Sequence, residues 1–248
     1  MPRRFNSSTL GALSAFLLIV TVVAAIVTTF TIPTTENPRD DTLEWLQNVS
    51  TSRDHAMGAV WLFALSGPFL VGMIMGLYHR LNSWGQPLLH AALFASVAAA
   101  IFLAISSALL AVSIDEIVPV WSATDDAALR SSYYFDARIL AWTSDALLSM
   151  AGLCISAACI TTSLVMLRTQ IHAWRVLGWL GITGGIAPIF GAFGIAEERF
   201  DIGDYFAVVL LLAWSMGVGL SLWQSSNDPA LAEQAETADG AYLPSPGR

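Results

Sequence analysis

Six long apolar runs, separated by shorter polar stretches, set the pattern of this chain. They fall at about 10–32, 55–78, 87–112, 138–167, 176–195 and 205–223. Roughly 20 apolar residues cross the hydrocarbon core of a bilayer as a helix, so even the short fifth run suffices. In lipid the backbone must satisfy its own hydrogen bonds, which a helix does within one segment. The pattern predicts an all-α, polytopic membrane bundle of six transmembrane helices.

The connections are unequal. Residues 79–86 and 168–175 are tight links. Residues 33–54 are a polar loop with a short amphipathic piece at 42–49, whose Leu43 and Trp45 are expected to anchor at the membrane interface. Residues 113–137 form the longest internal loop. They mix Ile117, Val118, Val120 and Trp121 with several acids, so a re-entrant or interface-lying segment is expected. Residues 1–9 are a short polar N-terminus with Arg3 and Arg4. The run that follows is longer than the core of a signal peptide and lacks a small-residue cleavage site after it, so it reads as a retained first span. Residues 224–248 are acidic and rich in Ala, Ser, Pro and Gly, the composition of a disordered tail.

Inside the runs, polar and small residues fall into stripes. In the fourth run, Arg138, Trp142, Asp145, Ser149, Gly152, Ser156, Cys159 and Ser163 share one helical face. Asp at the centre of a spanning helix costs about 2.5–3.5 kcal/mol on insertion scales, so Asp145 must be paired, hydrated or protonated. Arg138, Trp142, Asp145 and Ser149 are therefore the candidate site for an ion or a small ligand. The competing expectation is a polar clamp between helices, with Asp145 bonded to hydroxyls or to Arg138. The lower half of the stripe holds only Ser, Gly and Cys and suits close packing.

Glycines form the second pattern. Pro68, Gly72 and Gly76 give the second run an edge of small residues, and Pro68 is expected to kink it. The fifth run carries Gly178, Gly181, Gly184, Gly185, Pro188, Gly191 and Gly194. Such a run is either a broken helix that exposes backbone to a substrate or a packing surface. Packing against the fourth run is the expectation.

Composition narrows the chemistry. Charged residues are 12% and hydrophobic residues 55%, where a soluble domain has about 25% charged. The net charge is -8, and all eleven basic residues are arginine. Without a lysine, a retinal or pyridoxal Schiff base is excluded. No basic patch for nucleic acid exists. Cys154 and Cys159 lie about 140° apart around one helix and cannot bond to each other. His55, His79, His90 and His172 sit at run ends and in links. Two facing histidines could ligate haem, but no pair has ligand spacing on one helix. No catalytic residue, metal or cofactor is expected.

Arg3, Arg4, Arg80, Arg168 and Arg175 mark one side as cytoplasmic, with both termini there, in the cytoplasmic membrane of a prokaryote. Tyr78, Trp84, Trp174, Trp179 and Trp223 are expected at the inner interface, and Trp45, Trp61, Trp121, Trp142 and Tyr205 at the outer one. On the outer side Asp54, His55, Asp136, Arg138 and the turn Glu197, Glu198, Arg199, Asp201 and Asp204 could build an acidic mouth over the stripe.

The order of runs and links, and the start of the fifth run at Trp174, Arg175, Leu177, Gly178, Trp179, Leu180 and Gly181, carry a resemblance. Over about 8–223 the chain resembles bacterial and archaeal six-helix membrane proteins known only as a domain of unknown function. The resemblance implies the fold and no activity, cofactor or catalytic residue. Three functions stay open. The first is a structural or accessory protein partnered by the lipid bilayer and by other membrane subunits. The second is a small transporter or ion-pathway protein using Asp145 and a small ligand. The third is an intramembrane enzyme or haem protein using the inner histidines.

Overall fold

The computed structural model describes residues 7–30, 41–169, 171–194 and 202–227. Every regular element among them is helical: α1 (Ser7–Phe30), α2 (Thr42–Thr51), α3 (Arg53–Val112), a π-helical turn (Ser113–Ile117), α4 (Val118–Ala123), α5 (Ala127–Arg168), α6 (His172–Gly194) and α7 (Ile202–Asn227). Four stretches are long and apolar enough to cross a membrane: Ser7–Phe30, Arg53–Ala123, Ala127–Arg168 and Ala207–Ser226.

Helix α3 is two arms rather than one rod. Its dihedrals leave the helical region only at Gly85. Gly67 packs directly on Ala100, and Tyr78 shares a hydrogen bond of 3.0 Å with His90 across the turn. A straight helix would hold Gly67 and Ala100 roughly 50 Å apart at 1.5 Å per residue, so the chain must reverse at Gly85. Pro68, expected to kink the first arm, leaves its helical dihedrals intact.

Counting the arms separately, the described helices close into a ring. Gly11 of α1 meets Gly76, and Ser14 meets Gly72, on the first arm of α3. Gly67 joins the two arms. The second arm meets α5 at Ser106–Ser144 and Gly85–Val165. Gly178 and Gly185 of α6 lie on Leu167 and Ile160 of α5. Gly184 and Leu177 of α6 meet Leu210 and Gly217 of α7, and Gly219 of α7 returns to Ala15 of α1. At each seam numbering rises on one helix as it falls on the other, so neighbours are antiparallel. Ser7 and Asn227 consequently lie at the same end. The small-residue edges expected on the second and fifth runs are these seams. Without strong hydrophobic drive in lipid, close backbone approach at small residues supplies the packing.

At the opposite end a second, smaller core caps the ring. Trp45, Leu46 and Val49 of α2 pack on Ala56 and Val60 of α3, on Ile114, Ile117, Val118 and Trp121, and on Ala137 of α5. This corrects the expected long loop at 113–137. The chain stays helical there because its apolar residues recur at helical spacing and find α2 to bury against. Asp126 then caps the N-terminus of α5, accepting from the backbone N–H of Ala128 at 2.9 Å. Helix α5 thus begins eleven residues before the expected boundary at Arg138. Arg53 pairs with Asp115 across the cap. Both side chains are about half exposed, so the pair contributes at most about 1 kcal/mol. The guanidinium of Arg130 stacks 4.4 Å from the Trp121 ring centroid.

The cap also revises the tryptophans. Trp45, Trp121 and Trp174 are buried in the cores rather than lining an interface, while Trp61, Trp84, Trp142, Trp179 and Trp223 are exposed. Tyr205 and the turn Glu197–Asp201 lie outside what is described of side chains, as do residues 1–6 and 228–248, while Ser7–Thr9 of the expected N-terminus and residues 224–227 of the expected tail continue α1 and α7.

Below the cap, the second arm of α3 and α5 are joined by a buried serine pair. The hydroxyls of Ser106 and Ser144 lie 2.8 Å apart, and each reaches the other's carbonyl, at 3.0 and 3.2 Å. Replacing both by alanine is expected to lower stability in detergent, with a coupling energy of about 0.6 kcal/mol and at most about 1.7. A double-mutant cycle on chemical or thermal unfolding measures it.

Candidate functional site

Between the cap and the lower core lies a cavity of about 320 Å³. All the helical arms of the ring contribute to its wall: Leu18 and Val22 from α1, Phe63, Ser66 and Leu70 from the first arm of α3, and Leu103 from the second. Helix α5 adds Asp145, Leu148, Ser149, Ala151, Gly152 and Ile155, α6 adds Pro188, and α7 adds Ala207, Val208 and Leu211. The wall is apolar except for Asp145, Ser149 and Ser66.

The sequence of α5 explains this layout. Residues 145, 148, 149, 152 and 155 follow at three- and four-residue steps and so share one face. Gly152 removes side-chain bulk from that face, and a Cβ there would meet only Pro188 Cβ, at 3.9 Å. Asp145 lies just over one turn below Leu140, which packs on the cap core. It follows immediately after Ser144, whose backbone and hydroxyl are fixed by Ser106. The carboxylate is thus positioned at the upper end of the cavity by a rigid neighbour. Asp145 takes part in a further interaction.

The four expected site residues separate into two pairs. Asp145 and Ser149 line the cavity. Arg138 and Trp142 do not; with Phe135, Ile139 and Thr143 they border a second, shallow groove on the outer face of α5. The register that sets Gly152 on Pro188 brings Gly194, the last described residue of α6, about level with Asp145. The residues that immediately follow Gly194 lie outside the described residues.

A polar clamp joins the second arm of α3 to α5 at Ser106–Ser144, one residue before Asp145. Ser144 lies beside the expected stripe, and the signal that could have found it is a second serine position in apolar surroundings opposite Ser106. The apolar walls carry no such signal.

Lower on the stripe, Ser156 and Ser163 are buried, as close packing requires. A Cβ on Gly181 would lie 2.1 Å from Ser163 Oγ and 2.5 Å from Trp214 Nε1. Only glycine lets both reach the backbone of α6 there. His79 and His90 both pack on the Tyr78 ring, and His90 shares its hydrogen bond; among the described residues no three of His, Cys, Asp and Glu could hold a metal ion.

Residues 13–226 match the family described as Domain of unknown function (DUF4386), and the chain belongs to that family. No curated protein and no solved structure matches it.

Proposed function

We propose that this is a six-crossing protein of the cytoplasmic membrane, with both termini inside, that binds a small, mostly apolar molecule in its central cavity and serves as a small transporter. Six antiparallel arms in a closed ring support the crossing number, with α6 counted as a span. Arg80, Arg168 and Arg175 occur at the end that holds Ser7, Asn227 and the Gly85 turn, which favours that end as cytoplasmic. Exposed Val20, Phe94, Ile101, Ile139, Val176 and Val209 suit contact with lipid.

The observation that carries the functional reading is the cavity. A bundle that served only as a scaffold would fill its centre, because interiors pack to crystal-like density. Ligand sites are instead pockets of about 300–1,000 Å³, mainly apolar, with a few placed polar groups. A carboxylate in an apolar wall is costly and marks a site in a membrane protein. The accessory reading draws on the serine clamp, which shows that helix cohesion is available without Asp145.

Naphthalene titrated into the purified protein in detergent, followed by the ligand's fluorescence or by thermal shift, is expected to bind saturably with one site per chain. Partitioning that never saturates, as in detergent alone, would count against a ligand-binding cavity and leave the accessory role.

A further inference from the structure

We propose that the ligand is a primary ammonium on an apolar body of about two fused rings, with its N–H groups directed at Asp145. The inference rests on the cavity being a ligand site and deepens that reading.

The hydrogen-bonding groups of the wall are biased toward acceptors. An ionised carboxylate only accepts, through about four lone-pair positions; Asp145 already makes an interaction within the protein, and toward the cavity it presents acceptors alone. The Ser66 hydroxyl donates to the Phe63 carbonyl at 2.6 Å, which spends its proton and leaves its oxygen as an acceptor. Ser149 can turn its hydroxyl either way.

A guest that brings only acceptors, such as a carboxylate or a ketone, would face mainly acceptors in this apolar wall. Buried polar groups without partners are penalised, so such a guest is disfavoured. A hydrocarbon would fit but would offer the carboxylate no donor. An ammonium supplies several donors and a charge that complements Asp145, and bonds between ionised partners are about twice as strong as neutral ones. The ring of Phe63 in the same wall is a second favourable neighbour for a cation.

Size completes the class. A dry cavity of about 150 Å³ holds one benzene ring. The cavity here, at about 320 Å³, is roughly twice that.

The test uses four probes of one shape: 2-(2-naphthyl)ethylammonium, the alcohol 2-(2-naphthyl)ethanol, the hydrocarbon 2-propylnaphthalene and the anion 3-(2-naphthyl)propanoate. Each is titrated into the full-length wild type and into Asp145→Asn in detergent near pH 7. The wild type is expected to bind the ammonium at least about 10-fold more tightly than the hydrocarbon, with the alcohol between them and the anion weakest. In Asp145→Asn the ammonium is expected to lose that advantage, while hydrocarbon binding is unchanged and serves as the check on folding. Equal binding of ammonium and hydrocarbon by the wild type, or preference for the anion, overturns the amine assignment and leaves the cavity reading standing. Failure of every probe, hydrocarbon included, overturns both. Should Asp145→Asn not fold, the ranking of the four probes by the wild type decides.

Discussion

Gly76→Leu is expected to prevent the bundle from assembling, and Gly76→Ala to destabilise it by about 1–3 kcal/mol, the usual range for overpacking. A Cβ on Gly76 would lie 2.6 Å from Gly11 Cα and 3.3 Å from both the Gly11 nitrogen and a Leu222 methyl. Two of those atoms are backbone of α1, so no rotamer change relieves the clash; α1 itself must move. That movement reaches α7, because Leu222 is wedged at the same crossing. Gly58 supplies the control. It lies on the same arm of α3 against the same partner helix, yet a Cβ there would meet only Thr28 Cγ2, at 3.9 Å. Gly58→Ala is expected to be neutral or slightly stabilising, since alanine is favoured over glycine in a helix by about 1 kcal/mol. Thermal unfolding of the three variants in one detergent separates the two effects, which have opposite signs. Equal behaviour of Gly58→Ala and Gly76→Ala would show that the α1–α3 seam yields, and the closed ring would lose its closest backbone-to-backbone approach at the described glycines. Gly11→Ala should reproduce the loss without adding to it, because both substitutions break one contact.

The same seam illustrates what can be read from sequence in a protein of this kind. Gly72 and Gly76 were legible as a packing edge because lipid leaves small residues as the main route to close helix contact. The length of the apolar runs was legible because the bilayer imposes it. Asp145 and Ser149 were legible because a carboxylate in an apolar run demands an explanation. The cap was not. Ile114, Ile117, Val118 and Trp121 sit among acids, and what makes them helical is burial against Trp45, Leu46 and Val49, some 70 residues earlier in the chain. Periodicity within one segment cannot reveal a partner that distant. The cavity walls were hidden for a different reason. Leu18, Leu70 and Leu211 face an internal space, while Leu13, Leu65 and Leu220 face outward. Where the surrounding solvent is itself apolar, composition does not distinguish the two. Arg138 and Trp142 share a stripe with Asp145 but not its surroundings, because a helical wheel records angle and not which neighbours lie at each height.

Gly152→Phe is expected to raise thermal stability and at the same time reduce ligand affinity by about 100-fold or more. The two signs together distinguish a binding cavity from a packing flaw. Gly152 faces the cavity from α5, and the nearest atom to a Cβ there is Pro188 Cβ at 3.9 Å, an ordinary contact, so the backbone need not shift. The benzyl group would then extend into the space. One aromatic ring needs about 150 Å³, close to half of the cavity's 320 Å³. Filling such a void typically stabilises by about 0.5–2 kcal/mol, and replacing a glycine within a helix adds to the gain. What remains has room for one ring and not for two, so a naphthyl ligand is excluded while Asp145 and Ser149 are left in place. Loss of binding in this variant therefore cannot be ascribed to a missing polar group, just as loss in Asp145→Asn cannot be ascribed to missing volume. A packing flaw would give the rise in melting temperature with no change in any cellular uptake or efflux that the wild type supports; a transporter would lose that flux as its fold became more stable. A fall in melting temperature would mean that the space between Gly152 and Pro188 is closed in the membrane-embedded protein, and the cavity could then hold no ligand of this size.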